Sequence, residues 1–298
     1  MNPILLAVMA SLCWGIGTVM QKYGMSGAFP KISVREFFRQ IGPVLKTLIT
    51  NWIWTVGLLL MIGGGMVFMT ALGRAGIARV LPITCLTGAV AALIGVAFLK
   101  EKVMPVEWTG IGLVFAGVIV VAQAESGGAS LIPGNGALLL FTAATAILTT
   151  TALLARRLGF TAEITLSVSA GLIFGLCNLM TKLMTQRVVA EIGGDFSLLR
   201  SEAWVAGLTD YPIYIVIAGN LLASVFFQTA FANGRASVVS PVVTILSNVL
   251  PIVAAVTIFG ETIRFGHGVG IVLVIAGTAL LAMRRPTSAQ AAAPAETE

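Results

Sequence analysis

Nine apolar segments of about 20 residues dominate this sequence, and that is the length a helix needs to cross the hydrocarbon core of a bilayer. They cover residues 3–22, 52–72, 78–99, 105–123, 135–157, 164–186, 211–232, 238–259 and 267–284. Charged residues make up only 10% of the chain, against about a quarter in soluble domains. The pattern excludes a soluble fold and predicts an all-α integral membrane protein with about nine transmembrane helices.

The chain contains an internal duplication. "ASLCWGIGTVMQK" at 10–22 returns as "AGLIFGLCNLMTK" at 170–182, and "GIGLVFAG" at 110–117 returns as "GIVLVIAG" at 270–277. Five apolar segments lie between the starts of the two copies, and an odd number of crossings reverses direction, so the sequence predicts inverted repeats. We place the first repeat at 1–123, the second at 124–285 and a disordered tail at 286–298.

The charges predict an orientation. Twelve of the 18 Lys and Arg residues fall on the side that holds the C-terminus, which predicts a cytoplasmic C-terminus and an external N-terminus, in a bacterial inner membrane. Segment 26–50 is basic and amphipathic, typical of a helix lying along the membrane surface. Segment 187–209 is more acidic and is predicted to be extracytoplasmic. Since the +6 charge is explained by this bias, we expect no nucleic-acid partner.

Polar residues near the middle of the apolar segments are the candidates for a substrate site. Such groups must find partners inside a membrane, so they face a cavity or form hydrogen bonds between helices. The sequence does not decide between a cavity-facing role and a hydrogen bond between helices, and for Trp14 packing in the core is a further alternative. The substrate-binding candidates are Trp14, Thr18, Asn178, Asn220, Ser224, Gln228, Thr244 and Asn248.

A second group of residues is expected to act in gating or structure. Pro251 removes the hydrogen-bond donor for the Ser247 carbonyl, which predicts either a tolerated kink or a broken helix. Lys22 and Lys182 occupy equivalent repeat positions and are expected near opposite membrane faces, either extending to water or attracting an anionic substrate. The remaining members open or close matching segments, and they are Pro82, Pro241, Glu101 and Glu261.

No pattern in the chain points to catalysis. Three cysteines, Cys13, Cys85 and Cys177, lie in apolar segments without metal or redox spacing, and the one histidine, His267, is expected at the membrane interface. No Asp or Glu lies near the centre of an apolar segment, which argues against proton coupling by a central carboxylate. We therefore expect neither an enzyme nor a cofactor or metal centre.

Several short motifs carry a family resemblance. Trp14-Gly15 in an early segment, Pro82 and Pro241, and the closing motifs Leu99-Lys100-Glu101 and Phe259-Gly260-Glu261 resemble the drug/metabolite transporter superfamily, in its EamA-like form. The nine-segment layout, with a charged connector after the first segment, is similar to the NIPA-like magnesium transporter branch.

The resemblance implies a carrier with one substrate site at the bilayer midplane, exposed to each side in turn. Our first hypothesis is an alternating-access transporter of a small polar or amphipathic metabolite. The alternatives are a NIPA-like transporter of magnesium or another divalent cation and, from other classes, a non-transporting membrane assembly protein or a membrane enzyme. The expected partners are a small-molecule substrate and the lipid bilayer, and a homodimer is compatible with this layout.

Overall fold

A computed structural model describes residues 2–25, 50–99, 105–123, 131–193, 201–233 and 236–282, and within these ranges the elements are helices, which confirms the all-α prediction. The first half contains α1 (Pro3–Met25), α2 (Trp52–Arg74), α3 (Ile77–Thr84), α4 (Leu86–Leu99) and α5 (Pro105–Gln123). The second half contains α6 (Asn135–Leu154), a 3-10 turn (Ala155–Leu158), α7 (Ala162–Ile192), α8 (Ser201–Thr209), α9 (Pro212–Asn233), α10 (Ala236–Thr257) and α11 (Phe265–Ala282).

Among the described residues, four helices are long and apolar enough to cross a membrane: α1, α2, α6 with its 3-10 turn, and α7. Helices α8 and α9 meet that criterion only as a pair, and they are bent by 76° relative to each other. The architecture is that of an integral membrane protein. Helices also cover the other predicted segments, but the crossing of the membrane by all nine segments stays a prediction.

The structure departs from the predicted boundaries at two places. The segment predicted at 78–99 is divided into α3 and α4 at Cys85, where the Cys85 N–H donates to the Pro82 carbonyl, three residues back instead of four. Helix α7 continues to Ile192 and takes in the start of the predicted connector 187–209. Most of segment 26–50, residue 101 and the tail 286–298 lie outside the described residues.

A single asparagine joins the first two helices. The Asn51 side chain accepts from the Ile53 and Trp54 N–H groups (3.1 and 3.3 Å) and so caps α2. Its amide nitrogen donates to the Gly24 carbonyl (2.8 Å) near the end of α1. Side-chain oxygens at this position satisfy the first N–H groups of a helix. Asn51 therefore holds α1 and α2 side by side at this end.

Helix α7 is the most buried of the four long apolar helices and organises the second half. It packs against α6, α8, α9 and α10, and it also contacts α2 of the first half. In the first half, α1 packs against α2, α3 and α4. The two halves therefore meet along α7 as well as between α5 and α11.

Helices α5 and α11 pack closely through glycines. A Cβ atom added at Gly117 would lie 2.8 Å from the Gly270 carbonyl oxygen, and one added at Gly277 would lie 2.7 Å from the Gly110 carbonyl oxygen. The pairing of 117 with 270 and of 110 with 277 shows that the helices run antiparallel. Small residues allow such close backbone approach between helices in membranes.

We expect Gly117→Ala to destabilise the protein by about 1–3 kcal/mol, because the added methyl group meets backbone atoms that cannot rotate away. The temperature at which the detergent-solubilised protein loses its monodisperse peak will report the change. Gly112→Ala on the same helix is the control, since a Cβ at Gly112 meets nothing within 4 Å. Equal behaviour of the two variants would contradict the close packing of α5 on α11.

Candidate functional site

A buried corner between α2 and α3 gathers charged side chains. Helix α2 ends at Arg74, Ala75 and Gly76 are extended, and α3 begins at Ile77. A helix end leaves its last carbonyl groups, or its first N–H groups, without partners in the helix. At this corner both kinds of group face the interior of the bundle, so they need partners from elsewhere in the chain.

Lys182 supplies the partner for the end of α2. Its ammonium nitrogen lies 2.8 Å from the Leu72 carbonyl oxygen and 2.8 Å from the Ala75 carbonyl oxygen, and the residue is only 3% exposed. The C-terminal end of a helix carries partial negative charge, which favours a cation there. The prediction that Lys182 reaches water near a helix end is wrong, because α7 continues for ten more residues, to Ile192.

Glu261 supplies the partner for the start of α3. Its two carboxylate oxygens accept from the Ile77 N–H (3.0 Å) and the Ala78 N–H (3.1 Å), and the residue is 6% exposed. The N-terminal end of a helix carries partial positive charge, which favours an anion. Gly76 leaves the space for this carboxylate, because a Cβ there would lie 2.5 Å from a Glu261 oxygen.

Two further basic residues lie at the same corner. Arg79 donates to the Ala122 carbonyl (3.0 Å) near the end of α5. His267, at the start of α11, is fully buried and lies within electrostatic range of Arg79, Arg264 and Glu261. The burial of His267 differs from its predicted place at the membrane interface. The corner therefore ties α2, α3, α5, α7 and α11 together.

A second polar group joins α7 to α10. The Asn178 amide nitrogen donates to the Ser247 carbonyl (3.2 Å), the acceptor that Pro251 leaves without a backbone donor. Helix α10 runs from Ala236 to Thr257 without a break, so the broken-helix interpretation of Pro251 is wrong. The side chain of Asn178 replaces the missing N–H, and the helix continues.

Asn248 is a predicted site residue whose side-chain oxygen accepts no hydrogen bond within the described residues. It is 8% exposed, and its amide nitrogen donates to the Thr244 carbonyl (2.8 Å) of its own helix. Its side-chain oxygen is buried and has no hydrogen-bond partner in the part of the chain that the structure describes. An unsatisfied buried amide oxygen destabilises the protein unless a ligand or water supplies a donor or a cation. The structure therefore places Asn178, Thr244 and Asn248 around one region of α10.

The other candidates lie elsewhere. Trp14 donates to the Met61 carbonyl (3.0 Å) and packs on Phe68, with ring centroids 5.1 Å apart, so it joins α1 to α2. The exposed Thr18 donates to the Trp14 carbonyl. Asn220 donates to the Val216 carbonyl of its own helix, and Ser224 is exposed on α9. None of these bonds among the described residues reaches Asn178 or Asn248.

Four predicted residues cannot be assigned to a site. Lys22, Gln228 and Pro241 fall in α1, α9 and α10, but their side chains are outside the description, as is Glu101 altogether. Pro82 lies inside α3, one turn before the break at Cys85. No group of three or more His, Cys, Asp or Glu residues that could hold a metal ion occurs in the described ranges.

Sequence reasoning missed the convergence of Lys182 and Glu261 on one corner. A signal for it existed, since Lys22 and Lys182, like Glu101 and Glu261, are each separated by 160 residues in the duplication. The sequence alone did not reveal what they contact.

The helical architecture, the long apolar helices and the polar groups between helices define the class, an integral membrane protein. A comparison with protein-family models adds a more specific similarity within this class. Residues 1–128 match the model of the magnesium transporter NIPA, a family of membrane transporters and not of enzymes. This match agrees over that range with the resemblance to the NIPA-like branch. Searches of curated proteins and of solved structures returned no match.

We expect Gly76→Ala to destabilise the protein by about 1–3 kcal/mol, because the Glu261 carboxylate must withdraw and two buried N–H groups lose their acceptor. Thermal stability in detergent will measure the loss. Gly134→Ala is a matched control: Gly134 also precedes a helix in an extended conformation, and a Cβ there meets nothing within 4 Å. A Gly76 variant as stable as the Gly134 variant would show that the carboxylate is not held as described.

The pairing of Asn178 with Pro251 predicts coupling between two substitutions. Asn178→Ala should lower thermal stability in the natural background, because the Ser247 carbonyl is left without a donor. In a Pro251→Ala background the residue 251 N–H can serve that carbonyl, so the same Asn178→Ala change should have a smaller effect. A double-mutant cycle measures the difference. Additive effects would contradict the proposed replacement.

Proposed function

We propose that this chain is an alternating-access transporter with its substrate site near the bilayer midplane, beside Asn178 and Asn248. One observation carries the placement of the site: the Asn248 side-chain oxygen, close to the middle of α10, is buried and has no donor among the residues that the structure describes. The match to a family of membrane transporters supports transport as the activity. In this proposal the N-terminus is external and the C-terminus cytoplasmic.

Repeated contacts support two inverted halves. A Cβ at Gly15 of α1 would meet Val90 of α4 at 2.6 Å, and a Cβ at Gly175 of α7 would meet Leu250 of α10 at 2.9 Å. Both residues of the second contact are 160 positions after those of the first. The two glycine contacts between α5 and α11 are related by the same shift. Residues 110 and 117 correspond to 270 and 277, so the shift converts the 117–270 contact into the 277–110 contact, as a two-fold axis would. A pair of related halves is the usual basis for alternating access.

Magnesium is the first candidate substrate. The family match over residues 1–128 favours it. A magnesium ion keeps several of its waters, so a site needs few direct protein ligands, and amide or carbonyl oxygens suit a hard cation. The buried Asn248 oxygen fits this role, either as a direct ligand or as an acceptor for a water of the hydrated ion.

A small polar or amphipathic metabolite is the second candidate. The observation that favours it is the lack of a cluster of acidic residues in the described ranges, since divalent cations are usually held by at least one carboxylate. The Asn248 oxygen would then accept a hydrogen bond from a hydroxyl or amino group of the solute.

The test is uptake by purified protein in sealed vesicles, with a magnesium-sensitive dye inside. We expect saturable Mg²⁺ uptake that Asn248→Leu reduces about tenfold or more, the effect of removing a ligand worth about 1.4 kcal/mol. Asn248→Asp keeps the acceptor oxygens and should retain uptake. Thr257→Ala, an exposed change on the same helix, is the control and should leave uptake unchanged.

The outcomes separate the hypotheses. Uptake of amino acids, sugars or amines without Mg²⁺ uptake would establish the second candidate. Normal Mg²⁺ uptake by the Asn248→Leu variant would exclude the proposed site. A covalently changed solute without any uptake would point to a membrane enzyme and overturn the proposal.

A further inference from the structure

We propose that Lys182 and Glu261 form a latch that holds one end of the transport path closed, and that this end opens only when both side chains leave the α2–α3 corner. The latch is defined by the bonds of these two side chains to residues 72–78. The inference rests on the proposed function, because a latch matters only in a protein whose halves move relative to each other.

The latch joins the two halves of the chain. Residues 72–78 belong to the first half, whereas Lys182 lies on α7 and Glu261 follows α10, both in the second half. Four hydrogen bonds cross between the halves at this corner, two from the ammonium and two to the carboxylate. A movement that separates the halves here must break all four.

The latch is also confined to one end of the bundle. The corner lies between the end of α2 and the start of α3, and it adjoins the end of α5 through the Arg79 bond to Ala122 and the start of α11 through His267. Because α5 and α11 run antiparallel, the end of α5 and the start of α11 lie on the same side of the bundle. The Asn51 contact between α1 and α2 lies at the opposite end of α2.

The ammonium of Lys182 and the carboxylate of Glu261 give the latch two states, one with both charges bound at the corner and one with both released. A buried charge that loses its partner strongly destabilises the protein, so neither side chain can leave the corner without finding water or another partner. Lys182 binds the Ala75 carbonyl and Glu261 binds the Ile77 N–H, two residues further along the chain, so the two opposite charges lie at the same corner. The corner is therefore closed with both charges in place, or it is hydrated.

Helix α3 connects the latch to the proposed site. It is eight residues long, its first N–H groups are held by Glu261, and it packs against α10, which carries Asn248. Its far end is Cys85, which is 7% exposed. Release of the latch would free α3, so Cys85 is a native reporter of the closed state.

The experiment measures the alkylation rate of Cys85 by a membrane-permeant maleimide in a Cys13→Ser, Cys177→Ser background. We expect Lys182→Met and Glu261→Gln each to raise the rate about tenfold or more, since local opening governs the reaction of a buried group. Lys182→Arg retains a cation that can donate to both carbonyls and should stay close to the parent. Arg157→Gln, at an exposed arginine, should have no effect.

A second reporter excludes general unfolding. Cys177 lies on the same helix as Lys182, five residues before it, but it is buried against Gly219 in the contact between α7 and α9. In a Cys13→Ser, Cys85→Ser background, Lys182→Met should leave Cys177 slow to react. An unchanged rate at Cys85, or an equal increase at Cys177, would overturn the latch.

This readout needs no substrate, so the two proposals can fail separately. An increase confined to Cys85 supports the latch even where Mg²⁺ uptake is not detected, which would count against the proposed function alone. Uptake that Asn248→Leu abolishes, together with an unchanged Cys85 rate in the Lys182→Met variant, would count against the latch alone.

Discussion

The pairing of buried charges with helix ends is the interaction on which the junction between the two halves of this structure depends. A bilayer offers no water to the backbone, so a helix that ends inside the bundle needs partners from the protein. Lys182 satisfies the carbonyls that α2 leaves, and Glu261 satisfies the N–H groups of α3. The dependence is mutual, because each buried charge would itself be strongly destabilising without these backbone partners.

The same rule decides which polar residues are available to a substrate. Asn51 completes the start of α2, and Asn178 replaces the donor that Pro251 lacks. Trp14 likewise donates to a carbonyl of α2. A polar side chain in the middle of an apolar segment is therefore often used by the backbone of a neighbouring helix. Of the predicted site residues with described side chains, Asn248 is the one whose side-chain oxygen is buried without a hydrogen-bond partner in the described ranges.

The positions of the helices were predictable from the sequence, because lipid or protein burial over about 20 residues leaves an unmistakable apolar segment. The burial of Lys182 was not predictable. The polar residues in "LMTQRVVAEI", which follows this lysine, are typical of the end of a span, whereas α7 continues through that sequence to Ile192. Nor could a local pattern show bonds that join residues 110 and 184 positions apart. For the site, the sequence identified Asn178 and Asn248 as polar residues within apolar segments. It did not show that Asn178 donates to the Ser247 carbonyl or that the Asn248 oxygen is buried without a partner in the described ranges.

The latch also bears on how a chain without an acidic cluster in its described ranges could handle a cation. In the closed corner both Glu261 oxygens accept from backbone N–H groups and the residue is buried, so a ligand outside the corner does not reach the carboxylate. Opening the corner would release that carboxylate and remove the neighbouring ammonium from the α2 carbonyls. Carboxylate and carbonyl oxygens are the ligands that hard cations prefer. Lys182 would then act as a tethered cation that occupies the Leu72 and Ala75 carbonyl oxygens while the corner is closed, and the open end would attract cations only when it faces water.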